Sequence, residues 1–71
     1  METVKLGVYR HFKGNLYRVL FSARHSETGE EMVVYRALYG EQDYWVRPAA
    51  MWQEAVERDG YSGPRFTWVE P

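Results

Sequence analysis

Cysteine is absent from this 71-residue chain, which rules out disulfide staples and thiolate-held metal centres. Proline occurs only at Pro48, Pro64 and Pro71, so the first two thirds of the chain are free to pair as strands. No apolar run approaches the roughly 20 residues that span a bilayer, and Met1-Glu2-Thr3-Val4-Lys5 lacks the apolar stretch of a secretion signal. The expectation is a cytoplasmic protein with no membrane partner. An excess of one charge is missing too. Nine Lys/Arg against ten Asp/Glu leave a net charge of −1, which disfavours strong non-specific binding to nucleic acid. The balance is uneven: residues 1–30 carry five Lys/Arg against three Glu, and residues 31–71 carry four Arg against seven Asp/Glu, so a local basic surface remains available.

What the chain does have is aromatic side chains, 17% of the total, from Tyr9 to Trp68. At roughly 1.5–3 kcal/mol per large side chain buried, against about 1.5 kcal/mol per residue ordered, they supply a core for one small domain, residues 1–71, of modest stability. Two long runs alternate apolar and polar residues with the period of a strand: Leu16 to Ala23 and Met32 to Tyr39. Between them, Arg24-His25-Ser26-Glu27-Thr28-Gly29 reads as the tip of a hairpin. A four-residue loop at Ser26–Gly29 sets Arg24 opposite Glu31, Phe21 opposite Val34 and Tyr17 opposite Leu38. That register assigns Phe21, Val34, Leu38 and Phe66 to the core, and its weak point is Arg36 opposite Val19.

Lys5 to Phe12 reads as an earlier strand, Tyr44 to Arg47 as a fourth, and Arg65 to Val69 as a last one. The proline at 48 opens a different segment. A short helical turn near residues 48–53, followed by an extended stretch and a hairpin turn at Asp59-Gly60, competes with a helix over 48–58. The fold class expected is mainly β: a small curled antiparallel sheet or SH3-like barrel whose closure protects its edges. An α+β meander carrying the 48–58 helix is the alternative.

His11 and His25 each follow an arginine at a strand end, where a histidine can serve as acid or base, or cap the turn. Three protein ligands for a metal are hard to assemble from them, and no metal or cofactor is expected. Arginines beside aromatic rings are the better signal. Arg10, Arg24, Arg47 and Arg65 can hold phosphate or carboxylate while Tyr35 or Trp45 stacks on a base or an apolar group. The candidate ligand-binding set is therefore Arg10, His11, Arg24, His25, Tyr35, Trp45, Arg47 and Arg65, with no catalytic residue assigned.

Five segments carry a resemblance: Tyr9-Arg10-His11-Phe12-Lys13-Gly14, Arg24-His25-Ser26-Glu27-Thr28-Gly29, Val33-Val34-Tyr35-Arg36-Ala37-Leu38-Tyr39-Gly40, Trp45-Val46-Arg47-Pro48 and Pro64-Arg65-Phe66. In order and in kind they resemble a bacterial family of unknown function, number 1653 in the domain-of-unknown-function series, from Gly7 to about Trp68. The resemblance implies a small bacterial domain and supplies no activity. Three functions fit the residues. The first is a non-enzymatic binding module with an arginine and aromatic surface, taking a protein, a nucleotide or a single-stranded nucleic acid. The second is a small enzyme acting on an anionic metabolite, with His11 or His25 as acid/base. The third is a homodimeric or protein-partner structural module anchored by tryptophan.

Overall fold

In the computed structural model, which describes residues 4–71, strands β1 (Gly7–His11), β2 (Leu16–Arg24), β3 (Glu31–Ala37) and β4 (Tyr44–Pro48) run up and down as neighbours. A one-turn helix α1 (Ala49–Trp52) follows, then a hairpin of β5 (Ala55–Arg58) and β6 (Tyr61–Pro64), and then β7 (Phe66–Glu70). β7 returns beside β1, which completes an antiparallel sheet in the order β4-β3-β2-β1-β7. The β5–β6 hairpin is a separate two-stranded sheet.

The sheet is open, which corrects the curled-sheet and SH3-like-barrel expectation. β4 and β7 lie at opposite edges and do not pair with one another. The concave closure that a barrel obtains from strand pairing is replaced by one side chain, Trp52 of α1, which is 3% exposed. Its indole stacks on Phe66 at 3.8 Å and meets Tyr35 at 4.8 Å and Tyr9 at 5.4 Å. Strands β1, β3 and β7 are thus tied to one ring, and Val4, Val19, Val33 and Ala49 fill the rest of the core. The indole Nε1 finds no hydrogen-bond acceptor among the described residues, so ring packing alone holds it.

The 48–58 helix is corrected as well, because α1 stops at Trp52. The Glu54 carbonyl accepts from the Arg65 amide at 3.0 Å instead of from a helical neighbour, and Ala55–Arg58 then pairs with Tyr61–Pro64. Asp59 and Gly60 have φ of 52° and 81°, the left-handed pair that a tight two-residue hairpin turn demands. The mainly β content with one short helical turn near 48–53 stands.

Arg24 is opposite Glu31 and Phe21 opposite Val34, as the four-residue loop requires. Beyond Phe21 the register shifts at a bulge between Val19 and Phe21, which places Val19 opposite Tyr35 and Tyr17 opposite Ala37. The bulge removes the conflict between Val19 and Arg36 by moving Arg36 opposite Arg18, on the other face. It also splits the alternating run. Tyr17 and Val19 face the core, while Phe21 is 50% exposed on the open face of the sheet, against the expectation that it is buried. The core face of β3 is Val33, Tyr35 and Ala37, and Val34 lies on the outer face.

Two truncations separate these roles. Trp52→Ala should cost about 3–5 kcal/mol, enough to unfold most of a domain this small, whereas Phe21→Ala should cost about 1 kcal/mol or less. Urea midpoints of the two variants check this.

Candidate functional site

Both histidines end a strand and fold back on the turn that follows. The His11 ring accepts the Lys13 amide at Nδ1 (3.1 Å), the His11 carbonyl accepts the Gly14 amide (2.7 Å), and the His11 amide donates to Asn15 (2.8 Å). His25 repeats the device: its Nδ1 accepts the Glu27 amide at 3.1 Å, while its carbonyl and amide bond to Gly29 and Glu30, each at 2.8 Å. Arg24 Nη1 donates to the Gly29 carbonyl at 2.9 Å, and the Glu30 amide to Thr28 Oγ1 at 3.1 Å. The second hairpin tip is therefore consumed by its own closure. With Nδ1 accepting from the turn, the ring nitrogen that His11 has left to offer is Nε2.

The two tips are far apart. His11 sits beside the Leu16 end of β2 and Arg24 at the other end, eight residues along β2, or about 26 Å at a strand's rise per residue. The sequence candidates divide accordingly. Arg24 and His25 stay at the β2–β3 tip, and Tyr35 lies in the core. Trp45 is 54% exposed on β4, directly opposite Tyr35. His11, Arg47 and Arg65 gather around Phe66: the His11 ring meets Phe66 at 5.0 Å, the Arg47 guanidinium lies 5.7 Å from the Phe66 centroid, and Arg65 is its chain neighbour. Arg65 also contacts the Glu54 carboxylate at 3.7 Å, an exposed ion pair worth little by itself.

Arg10 projects from the opposite face of β1 into a groove of about 430 Å³. The groove lies where the β5–β6 hairpin meets the sheet and is lined by Arg10, His11, Phe12, Tyr61, Thr67 and Trp68, with Val69 at one side. Phe12 and Tyr61 stack at 5.5 Å, Lys5 Nζ sits 3.6 Å over the Trp68 ring, and Trp68 Nε1 donates to the Leu6 carbonyl at 3.1 Å. Gly7 allows that approach, since a Cβ there would lie 2.8 Å from Trp68 Nε1. Phe12, Tyr61 and Lys13 are not among the candidates read from the sequence, and Trp68 is there only as one of the tryptophans, with Trp45 and Trp52, that could anchor a partner. The signal for Phe12 and Tyr61 was their place next to turns, at Lys13-Gly14 and Asp59-Gly60.

The electrostatics of this end are basic. Partial burial first, then the positive charges of Arg65, Lys13 and Arg47, push the His11 pKa below its ordinary 6.5. The Tyr17 phenol, which shares a 2.8 Å hydrogen bond with Tyr39, is pushed up to about 12 by burial and that bond, so it stays protonated. Among the described residues no three His, Asp or Glu side chains converge as a metal site, and no helix is long and apolar enough to cross a membrane.

The His11 shift has a direction for stability. Because the unfolded chain takes up a proton more readily than the folded one, stability should be complete above about pH 6.5 and fall as pH drops through the lowered folded-state value. Denaturant midpoints measured between about pH 7.5 and 5.5 should decline, and His11→Gln should flatten the decline.

Comparison with known proteins agrees with this architecture. The model of a protein family of unknown function, DUF1653, matches residues 7–68. A crystal structure of a protein belonging to DUF1653 from Bordetella bronchiseptica is 39% identical, covers 99% of this chain and 92% of its own, and superposes with a TM-score of 0.88. No curated protein matches at a significant level. The chain belongs to the DUF1653 family, whose function is unknown.

Proposed function

We propose that this domain is a non-enzymatic binding module that takes an acidic, extended segment of a protein partner in the groove beside β7. The carrying observation is the groove itself, in which Arg10 and the stacked Phe12–Tyr61 pair stand next to the outer edge of β7, with which no described strand pairs. The Phe12 amide bonds to the Arg65 carbonyl at 2.9 Å. By alternation along the antiparallel pair, Thr67 faces Arg10 with its backbone groups, and Trp68 turns its N–H and C=O toward the free edge. A partner strand added there gains backbone hydrogen bonds, an aromatic seat and a guanidinium for its carboxylate. Arg47, Arg65 and Lys13 around His11 add a positive field that suits an acidic segment, although the whole chain carries −1.

A second reading, a small enzyme acting on an anionic metabolite, is favoured by one observation: His11 lies in the groove with Arg10, and Arg47 and Arg65 are near. Against it, the ring offers only Nε2, because Nδ1 is taken by the turn. The groove is also open to water, which weakens any charge stabilisation it supplies.

Amide-shift titration with an acidic peptide and with its Glu→Gln counterpart tests the binding reading. The acidic peptide should shift Arg10, Phe12, Tyr61, Thr67 and Trp68, bind more weakly as salt rises, and lose about fivefold in affinity on Arg10→Ala. Shifts that map to the β2–β3 tip, or equal binding of both peptides, would reject it. Turnover of small phosphate or carboxylate metabolites, abolished by His11→Gln, would move the assignment to the second reading.

A further inference from the structure

The other edge of the sheet is bare in a different way. In β4, Tyr44, Trp45 and Val46 are consecutive and 63%, 54% and 61% exposed, and no described strand pairs with the outer side of β4. Natural edge strands are usually protected by charge, proline, a bulge or a covering element; β4 has Arg47 and Pro48 only at its end and the Arg36 guanidinium 5.2 Å from the Tyr44 ring, and no described strand covers Tyr44–Val46. The backbone there is also poised. The Ala37 amide bonds to the Asp43 carbonyl at 3.1 Å, so by alternation Trp45 and Arg47 spend their backbone groups on β3, whereas Tyr44, Val46 and Pro48 turn theirs outward. Pro48, which has no N–H to offer, accordingly costs β3 nothing.

We infer that β4 is a self-association edge, pairing antiparallel with β4 of a second copy about a two-fold axis at Trp45. A two-fold pairing can be centred on Val46 or on Trp45. Centring on Val46 spends an outward position on Pro48, whose missing N–H leaves the Tyr44 carbonyl of the second copy without a donor. Centring on Trp45 sets Tyr44 opposite Val46 of the second copy and the reverse, and all four backbone bonds have their donors. The same register places Asp43 opposite Arg47 of the second copy, twice, and Trp45 against its own symmetry mate. Charge and hydrogen-bond phase thus select one arrangement.

Two five-stranded sheets become one of ten strands. On its outer face the row of exposed Phe21, half-buried Val34 and exposed Val46 continues into Tyr44 of the second copy, which covers part of that apolar surface. The pairing leaves the β7 groove free, because β7 is the opposite edge. A pairing through one short edge strand is at the small end of specific interfaces and gives a weak, exchanging dimer.

Sedimentation equilibrium of the whole chain from micromolar to millimolar concentration tests this, with circular dichroism as the check on folding. The mass should rise from 8.4 kDa toward twice that value. Val46→Pro removes only an outward N–H and should weaken the dimer at least tenfold (about 1.4 kcal/mol). Asp43→Arg, a change before the strand begins, should weaken it similarly and serves if the proline variant unfolds. Combining Asp43→Arg with Arg47→Asp should restore association, since the opposed charges are exchanged. A monomer at millimolar concentration overturns the inference, and so does a dimer indifferent to both single variants or a charge swap that fails to rescue.

Discussion

Trp52 is the contact on which the rest of the structure depends. A five-stranded sheet of this length cannot bury itself, the chain has no cysteine for a disulfide, and the described residues include no long helix to cover it. One indole, delivered by a four-residue helical turn, does so by touching rings from three strands that are distant in sequence. The proline at 48 matters for the same reason. It ends β4 where its lost N–H is harmless and starts the turn that drops Trp52 onto the sheet. Fold and connectivity are therefore joined at Pro48–Trp52.

Because the core forms on one face, the other face and both edges of the sheet lie outside it. The two edges differ in chemistry. β7 stands beside a groove with a guanidinium and stacked rings, next to His11, whose pKa is lowered by partial burial first and then by the surrounding Arg65, Lys13 and Arg47. β4 exposes Tyr44, Trp45 and Val46 between Asp43, just before the strand, and Arg47 within it. An open sheet with two dissimilar edges can bind a partner at one and a copy of itself at the other. A closed barrel would have neither.

Much of this was legible in the sequence, and the exceptions are physical. Period-two alternation located β2 and β3, and the Ser26–Gly29 loop fixed Arg24 opposite Glu31. Alternation cannot reveal a bulge, however, because Leu20 is as apolar as its neighbours; the sign was the mismatch of Val19 with Arg36. Closure was misjudged because edge protection suggests a barrel, whereas the large ring at position 52 satisfies the same need from one side. Of the candidate residues, His11, Arg47 and Arg65 meet around Phe66, while Arg24 and His25 sit at a remote tip. Sequence position near a strand end carries no information about which end of the sheet it is. The repeated use of histidine Nδ1 to cap a hairpin was visible only as two histidines preceding Gly-containing turns.

Trp52 seals one face of an open sheet while Phe21 remains on the other. Nuclear Overhauser contacts in the folded protein test this most directly. Cross-peaks from the Trp52 indole to the rings of Tyr9, Tyr35 and Phe66, with none to Phe21, are the predicted result. Contacts between Trp52 and Phe21, or an indole without contacts to those three rings, would contradict it.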